Sequence, residues 1–156
     1  MKHIAKRPLA LLLALAMLLS LAAVTLAASD VQVVIEEAAL RAGETAYLPV
    51  RITSAKSIQG VNFQLVPSKG LEIVDFQTSH DEQDGAADKG LFDYEVATGK
   101  IAWSNTKDLR TDRVFFWVGV KAADAGRYTL TITSNEGKVM FGDENKQAIP
   151  FDPETD

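Results

Sequence analysis

No cysteine occurs among the 156 residues, so neither a disulfide staple nor thiol chemistry is open to this chain. Histidine is nearly as scarce, with only His3 and His80. The chain contains neither a G-x-S-x-G nucleophile elbow nor an H-E-x-x-H zinc motif. His80 sits in a polar, acidic stretch and reads as a solvated loop side chain. Basic residues are also short, 16 against 21 acidic ones, which disfavours nucleic acid and anionic membrane as partners. A glycosidase needs two carboxylates facing across a cleft, yet none of the acids here is flanked by aromatic platforms and small residues. The expectation is a non-enzyme with no cofactor.

One long hydrophobic run is present. Lys2, Lys6 and Arg7 precede Leu9–Ala28, which is almost wholly Leu, Ala, Met and Val, and Thr25-Leu26-Ala27 places small residues where signal peptidase reads. Residues 1–27 are therefore expected to be a secretory signal cleaved after Ala27; the alternative is an uncleaved anchor, since about 20 apolar residues span a bilayer. Removing the leader takes three basic residues with it, leaving 13 against 21 acidic. The remaining residues 28–156, about 129, suit one domain with one core. After cleavage no membrane attachment is expected.

Within that domain the dominant signal is period-two alternation, in which neighbouring side chains take opposite faces of a strand. Val31–Ile35 is β-branched. In Thr45–Thr53, Leu48, Val50 and Ile52 alternate with Tyr47, Pro49 and Arg51, and Pro49 predicts a strand near an edge or a bulge because it lacks a ladder donor. Ile58–Val66 puts Val61, Phe63 and Leu65 on one face and Gly60, Asn62 and Gln64 on the other. Leu71–Phe76 follows the Pro67-Ser68-Lys69-Gly70 turn, and Gln77–Lys89 is polar enough to be a loop. A hairpin is predicted between Leu91–Val96 and Lys100–Thr106. Arg113–Lys121 is apolar on both faces, with Phe115, Trp117 and Gly119 opposite Val114, Phe116, Val118 and Val120. Arg127–Thr133 alternates with Tyr128, Leu130 and Ile132 inward, and Gly137–Phe141 and Gln147–Phe151 close the chain. About nine short strands without a convincing helix predict an all-β, antiparallel two-sheet sandwich of jelly-roll type.

Two further features bear on binding. Asp81, Glu82, Asp84 and Asp88 offer oxygen ligands of the kind Ca²⁺ prefers, and Asp143-Glu144-Asn145 starts like a calcium loop, but Ala148 stands where that loop needs glycine. Solvated turns explain both, and no metal site is expected. Tyr47, Phe115 and Trp117 would cluster outside the sandwich if their strands are neighbours. That cluster is either a sugar-stacking platform or cross-strand packing.

The order of segments resembles the cohesin domain: G-E-T-A-Y-L-P-V-R-I at Gly43–Ile52, I-Q-G-V-N-F-Q-L at Ile58–Leu65, G-L-E-I-V-D-F at Gly70–Phe76, K-I-A-W-S-N at Lys100–Asn105, D-R-V-F-F-W-V-G-V-K at Asp112–Lys121 and A-G-R-Y-T-L-T-I at Ala125–Ile132, closing with F-G-D-E-N-K-Q-A-I at Phe141–Ile149. The resemblance implies a nine-stranded jelly roll that is non-catalytic and docks dockerin modules in bacterial extracellular complexes that degrade polysaccharide. Carried onto matching positions, the family's docking face implies Gly60, Asn62, Gln64, Ala102, Ser104, Arg127, Thr129 and Thr131 as partner-binding residues; Phe92 and Tyr94 have ambiguous facing. The runner-up is a carbohydrate-binding module using Tyr47, Phe115 and Trp117, with polysaccharide as its partner.

Overall fold

The computed structural model describes residues 30–36, 39–137 and 140–151. The expected leader, the polar tail after Phe151 and part of the expected Gly137–Phe141 strand lie outside the described residues. Eleven strands are present among them: β1 (Val31–Ile35), β2 (Thr45–Ser54), β3 (Gly60–Pro67), β4 (Leu71–Gln77), β5 (Ser79–His80), β6 (Gln83–Asp84), β7 (Leu91–Glu95), β8 (Lys100–Ser104), β9 (Phe116–Ala122), β10 (Leu130–Ser134) and β11 (Phe141–Gly142). A first sheet runs β1-β2-β9-β4. A second runs β10-β3-β8-β7, with β11 also pairing β3. Every pairing is antiparallel. The all-β two-sheet sandwich expected from the alternation is what forms.

The core lies between the sheets and takes one face of each strand. Val50 and Ile52 from β2, Ile73 and Phe76 from β4, and Phe116, Val118 and Val120 from β9 meet Val61, Phe63 and Leu65 from β3 and Ile101 and Trp103 from β8. A bulge between Ile73 and Asp75 shifts the phase of β4. Its effect is that Leu71, Ile73 and Phe76 all face inward while Asp75 faces out. The Leu91–Glu95/Lys100–Ser104 hairpin matches the expected one, and Gly99 closes it at φ +72°. A Cβ there would stand 2.1 Å from the Leu65 carbonyl oxygen, so both the conformation and the space demand glycine.

Three sequence expectations change, and one is met: Pro49 lies in β2, next to the edge strand β1. Its missing donor is harmless because β1 ends at Ile35, opposite Val50, and beyond it only a long 3.5 Å bond from the Glu36 N–H to the Pro49 carbonyl remains. Phe115 is not on the outward face. Val114 and Phe115 precede β9, and their carbonyls accept from the N–H groups of Ala86 and Ala87, so the chain crosses the end of the sandwich there and Phe115 turns inward with Phe116. Gln77–Lys89 is not featureless: it holds the β5–β6 hairpin and a 3₁₀ turn at Ala86–Lys89, whose Ala86 and Ala87 are buried. The last expected strand, Gln147–Phe151, shrinks to a bridge at Ala148 and a bond from the Ile149 N–H to the Phe141 carbonyl.

Candidate functional site

The outer face of the second sheet is a ladder of small and polar side chains. Because Val61, Phe63 and Leu65 are buried, the alternation of β3 turns Gly60, Asn62 and Gln64 out. The antiparallel register extends each of them sideways into a row. Thr133, Gln64, Lys100 and Glu95 form one row. Asn62, Ala102 and Asp93 form the next. Gly142, Gly60, Ser104 and Leu91 form the third. Five of the eight expected docking residues, Gly60, Asn62, Gln64, Ala102 and Ser104, therefore lie side by side. Thr131 lies opposite Val66 at the corner of the sheet. Thr129 precedes β10 and is tied to Ser68, whose hydroxyl accepts from the Thr129 N–H at 3.1 Å. Arg127 is exposed but outside the ladder, next to Gly126, which bridges Leu40.

The hairpin register settles Phe92 and Tyr94. They stand opposite inward-facing Trp103 and Ile101, and their rings pack on Phe116 and Phe76. The outward residues of β7 are thus Leu91, Asp93 and Glu95, which the sequence reading missed. Counting back from the Gly99 turn with Ile101 and Trp103 inward would have found them. Leu91 is 79% exposed, the most exposed large apolar side chain described.

Two shallow hollows flank the Asn62–Ala102 row. One, about 520 Å³, is bordered by Gln59, Gly60, Ser104, Asn105 and Asp143. A Cβ built on Gly60 would meet nothing within 4 Å, so the floor of this hollow is open. Its walls are braced locally. The Asp143 carboxylate accepts from the N–H groups of Asn145 and Gln147, both at 2.8 Å, so this acid is occupied in making its turn. Asp108 accepts from Ser57 and Gln59, and those hydrogen bonds hold its carboxyl below the usual range. The other hollow, about 320 Å³, lies among Asp93, Glu95, Lys100, Ala102 and Asn135. Across it the Lys100 ammonium donates to Glu136 at 2.6 Å, which raises its pKa. Gln64 donates to the Thr98 carbonyl at 2.7 Å, stiffening the hairpin turn beside the patch.

On the opposite face, outside the first sheet, the ring cluster is covered while Val34, Arg51 and Glu72 stay exposed. Tyr47 lies over Gly119, its hydroxyl donating to Asp75 at 3.1 Å, and that bond holds the phenol above its ordinary range. Trp117 faces outward with Tyr47 but is only 6% exposed, because His80 from the β5–β6 hairpin lies against both rings, 4.7 Å from Tyr47 and 5.9 Å from Trp117 between centroids. His80 is thus a packed side chain rather than a solvated one. Phe115 is absent from this cluster, and the three rings do not form a common platform. Among the described residues no three His, Asp or Glu side chains converge to hold a metal ion.

A family model for the cohesin domain matches residues 31–155. The fold is similar to that of a non-cellulosomal cohesin from the hyperthermophilic archaeon Archaeoglobus fulgidus, at 20% identity and TM-score 0.63, over 78% of this chain and 84% of that one. It is also similar to the third ScaB cohesin of R. flavefaciens, solved in complex with a group 1 dockerin, at 18% identity and TM-score 0.57, over 76% and 91%. A Clostridium thermocellum cohesin, solved as the Coh-OlpA-Doc918 complex, matches at 17% identity and TM-score 0.54, over 78% and 92%. No curated protein matches.

Proposed function

The chain belongs to the cohesin family, and from that premise we propose that it is a non-catalytic docking module that binds a dockerin-bearing, polysaccharide-degrading protein through the outer face of β10-β3-β8-β7. The observation that carries this reading is the Gly60–Asn62–Gln64 row edge with Ala102 and Ser104 beside it. Small outward residues let a helical partner lie flat, while the amides keep its polar groups paired. Leu91, exposed at the rim, offers apolar area for the partner to cover. The basic-then-apolar leader at residues 1–27 supports export of the module to the outside of a bacterial cell.

The test is capture of dockerin-bearing proteins from the secreted proteins of the producing organism. The wild-type domain should retain at least one, and Asn62→Arg should weaken that binding by about 100-fold or more, because a bulky charge on the flat face blocks the partner and buries unpaired. Retention of no dockerin-bearing protein by the wild-type domain would sink the reading. So would undiminished binding by the Arg variant.

A further inference from the structure

One turn stands over the proposed docking face, and its contacts are those of a fastening. Asn135 follows the end of β10, beyond the Ser134–Phe63 pair, and donates from Nδ2 to the Asn62 Oδ1 at 3.0 Å. Glu136 then takes φ +57° and reaches the Lys100 ammonium at 2.6 Å. Lys100 belongs to β8 and Glu136 follows β10, and β3 runs between those strands. The ion pair therefore spans the outer side of β3, alongside Asn62, in the middle of the face that a partner would cover. We infer that the Asn135–Glu136 turn is a clip over this face, closed in the free protein and swung aside when a dockerin helix lies down on Asn62 and Ala102. The inference rests on the docking reading given above.

The closed clip is held lightly. Lys100 and Glu136 keep 31% and 61% of their side chains in water, so salt and solvent screen their attraction. Against it stand a non-glycine residue in the left-handed region and the Asn135 Oδ1, which is buried and has no hydrogen-bond partner among the described residues. A buried acceptor left unpaired costs free energy that opening recovers. A partner that replaces the Asn135 bond to Asn62 and pairs Lys100 with its own acceptor offsets both of these contacts.

Glu136→Gln removes the charge and keeps the shape, and it is read in two ways. Without any partner, acylation of Lys100 by N-hydroxysuccinimide acetate, followed by peptide mass spectrometry, should speed up about 3-fold, as loss of one exposed pair allows. High salt should bring the wild-type rate up to the same level. With a captured dockerin, association should quicken by a similar factor. Unchanged Lys100 acylation overturns the clip, and so does weaker docking by Glu136→Gln, which would make Glu136 a contact. If the wild-type domain captures no dockerin, the docking reading fails by itself and the acylation arm still decides whether the turn fastens Lys100. Asn135→Ala, which removes the bond to Asn62, should give the same direction in both readouts.

Discussion

The two outer faces of the sandwich come from the same alternation of inward and outward residues, yet the centre of one is covered by a hairpin and the centre of the other is open. On the first sheet the outward residues are large, and a hairpin folds back to cover them: His80 lies on Tyr47 and Trp117, and Asp75 gathers the Tyr47 hydroxyl and the Gln77 amide. On the second sheet the centre of the outward face is made of Gly60, Asn62, Ala102 and Ser104, and two hollows remain beside them. Rings on a sheet face gain more from mutual burial than from water, so they recruit cover. Small polar groups gain nothing from cover unless it pairs them, so they stay in water.

Stability and docking should respond to different faces. Trp117→Ala should destabilise the domain by about 3 kcal/mol, as truncation of a buried ring does, and leave dockerin affinity unchanged. Asn62→Arg should leave the melting temperature nearly in place and abolish docking. Calorimetry and binding measured on both variants would show whether the faces are independent; docking loss in Trp117→Ala at temperatures where it is folded would join them.

A smaller effect sharpens the covered side. The β5–β6 hairpin turns through Asp81 and Glu82, both at positive φ, +48° and +63°, where Asn-Gly is the favoured pair. Replacing Asp81-Glu82 by Asn-Gly should stabilise the domain by about 1 kcal/mol, seen as a higher melting temperature. A fall would mean that the Asp81 carboxylate, 3.4 Å from the His80 Nε2, matters more than the backbone.

The smallest effect concerns the open side. The Asp108 carboxyl is lowered by its bonds from Ser57 and Gln59, so its stabilisation is present above the unfolded-state pKa and is lost as pH falls through the folded one. Asp108→Asn should therefore lower the melting temperature at pH 7. The difference should begin to shrink as the pH falls through the ordinary carboxylate range, near 4, and vanish only below the lowered folded-state pKa. A difference that persists in acid would assign the effect to something other than ionisation.

What could be read from the sequence follows the range of the interactions. The inward set Val61, Phe63 and Leu65, the Gly99 hairpin and the patch at Gly60, Asn62 and Gln64 are local patterns, so alternation alone locates them. Phe115 misleads because alternation assumes an uninterrupted strand, whereas Val114 and Phe115 bond to Ala86 and Ala87 across the end of the sandwich. His80 looked solvated because its cover comes from β2 and β9, distant in sequence. Asn135 and Glu136 were invisible for the same reason: their partners, Asn62 and Lys100, lie 73 and 36 residues away. The Asp81-Glu82 turn carries no glycine, so nothing local announced the hairpin.

The chain has two tryptophans, and the sandwich assigns one to each sheet. Trp103 points into the core against Phe115, its indole N–H bonded to the Ala87 carbonyl at 3.2 Å. Trp117 lies on the other sheet, screened from water by His80. Each sheet thus carries its own optical reporter: lifting the hairpin wets Trp117 alone and shifts its emission to the red, while Trp103 changes only when the interior itself opens.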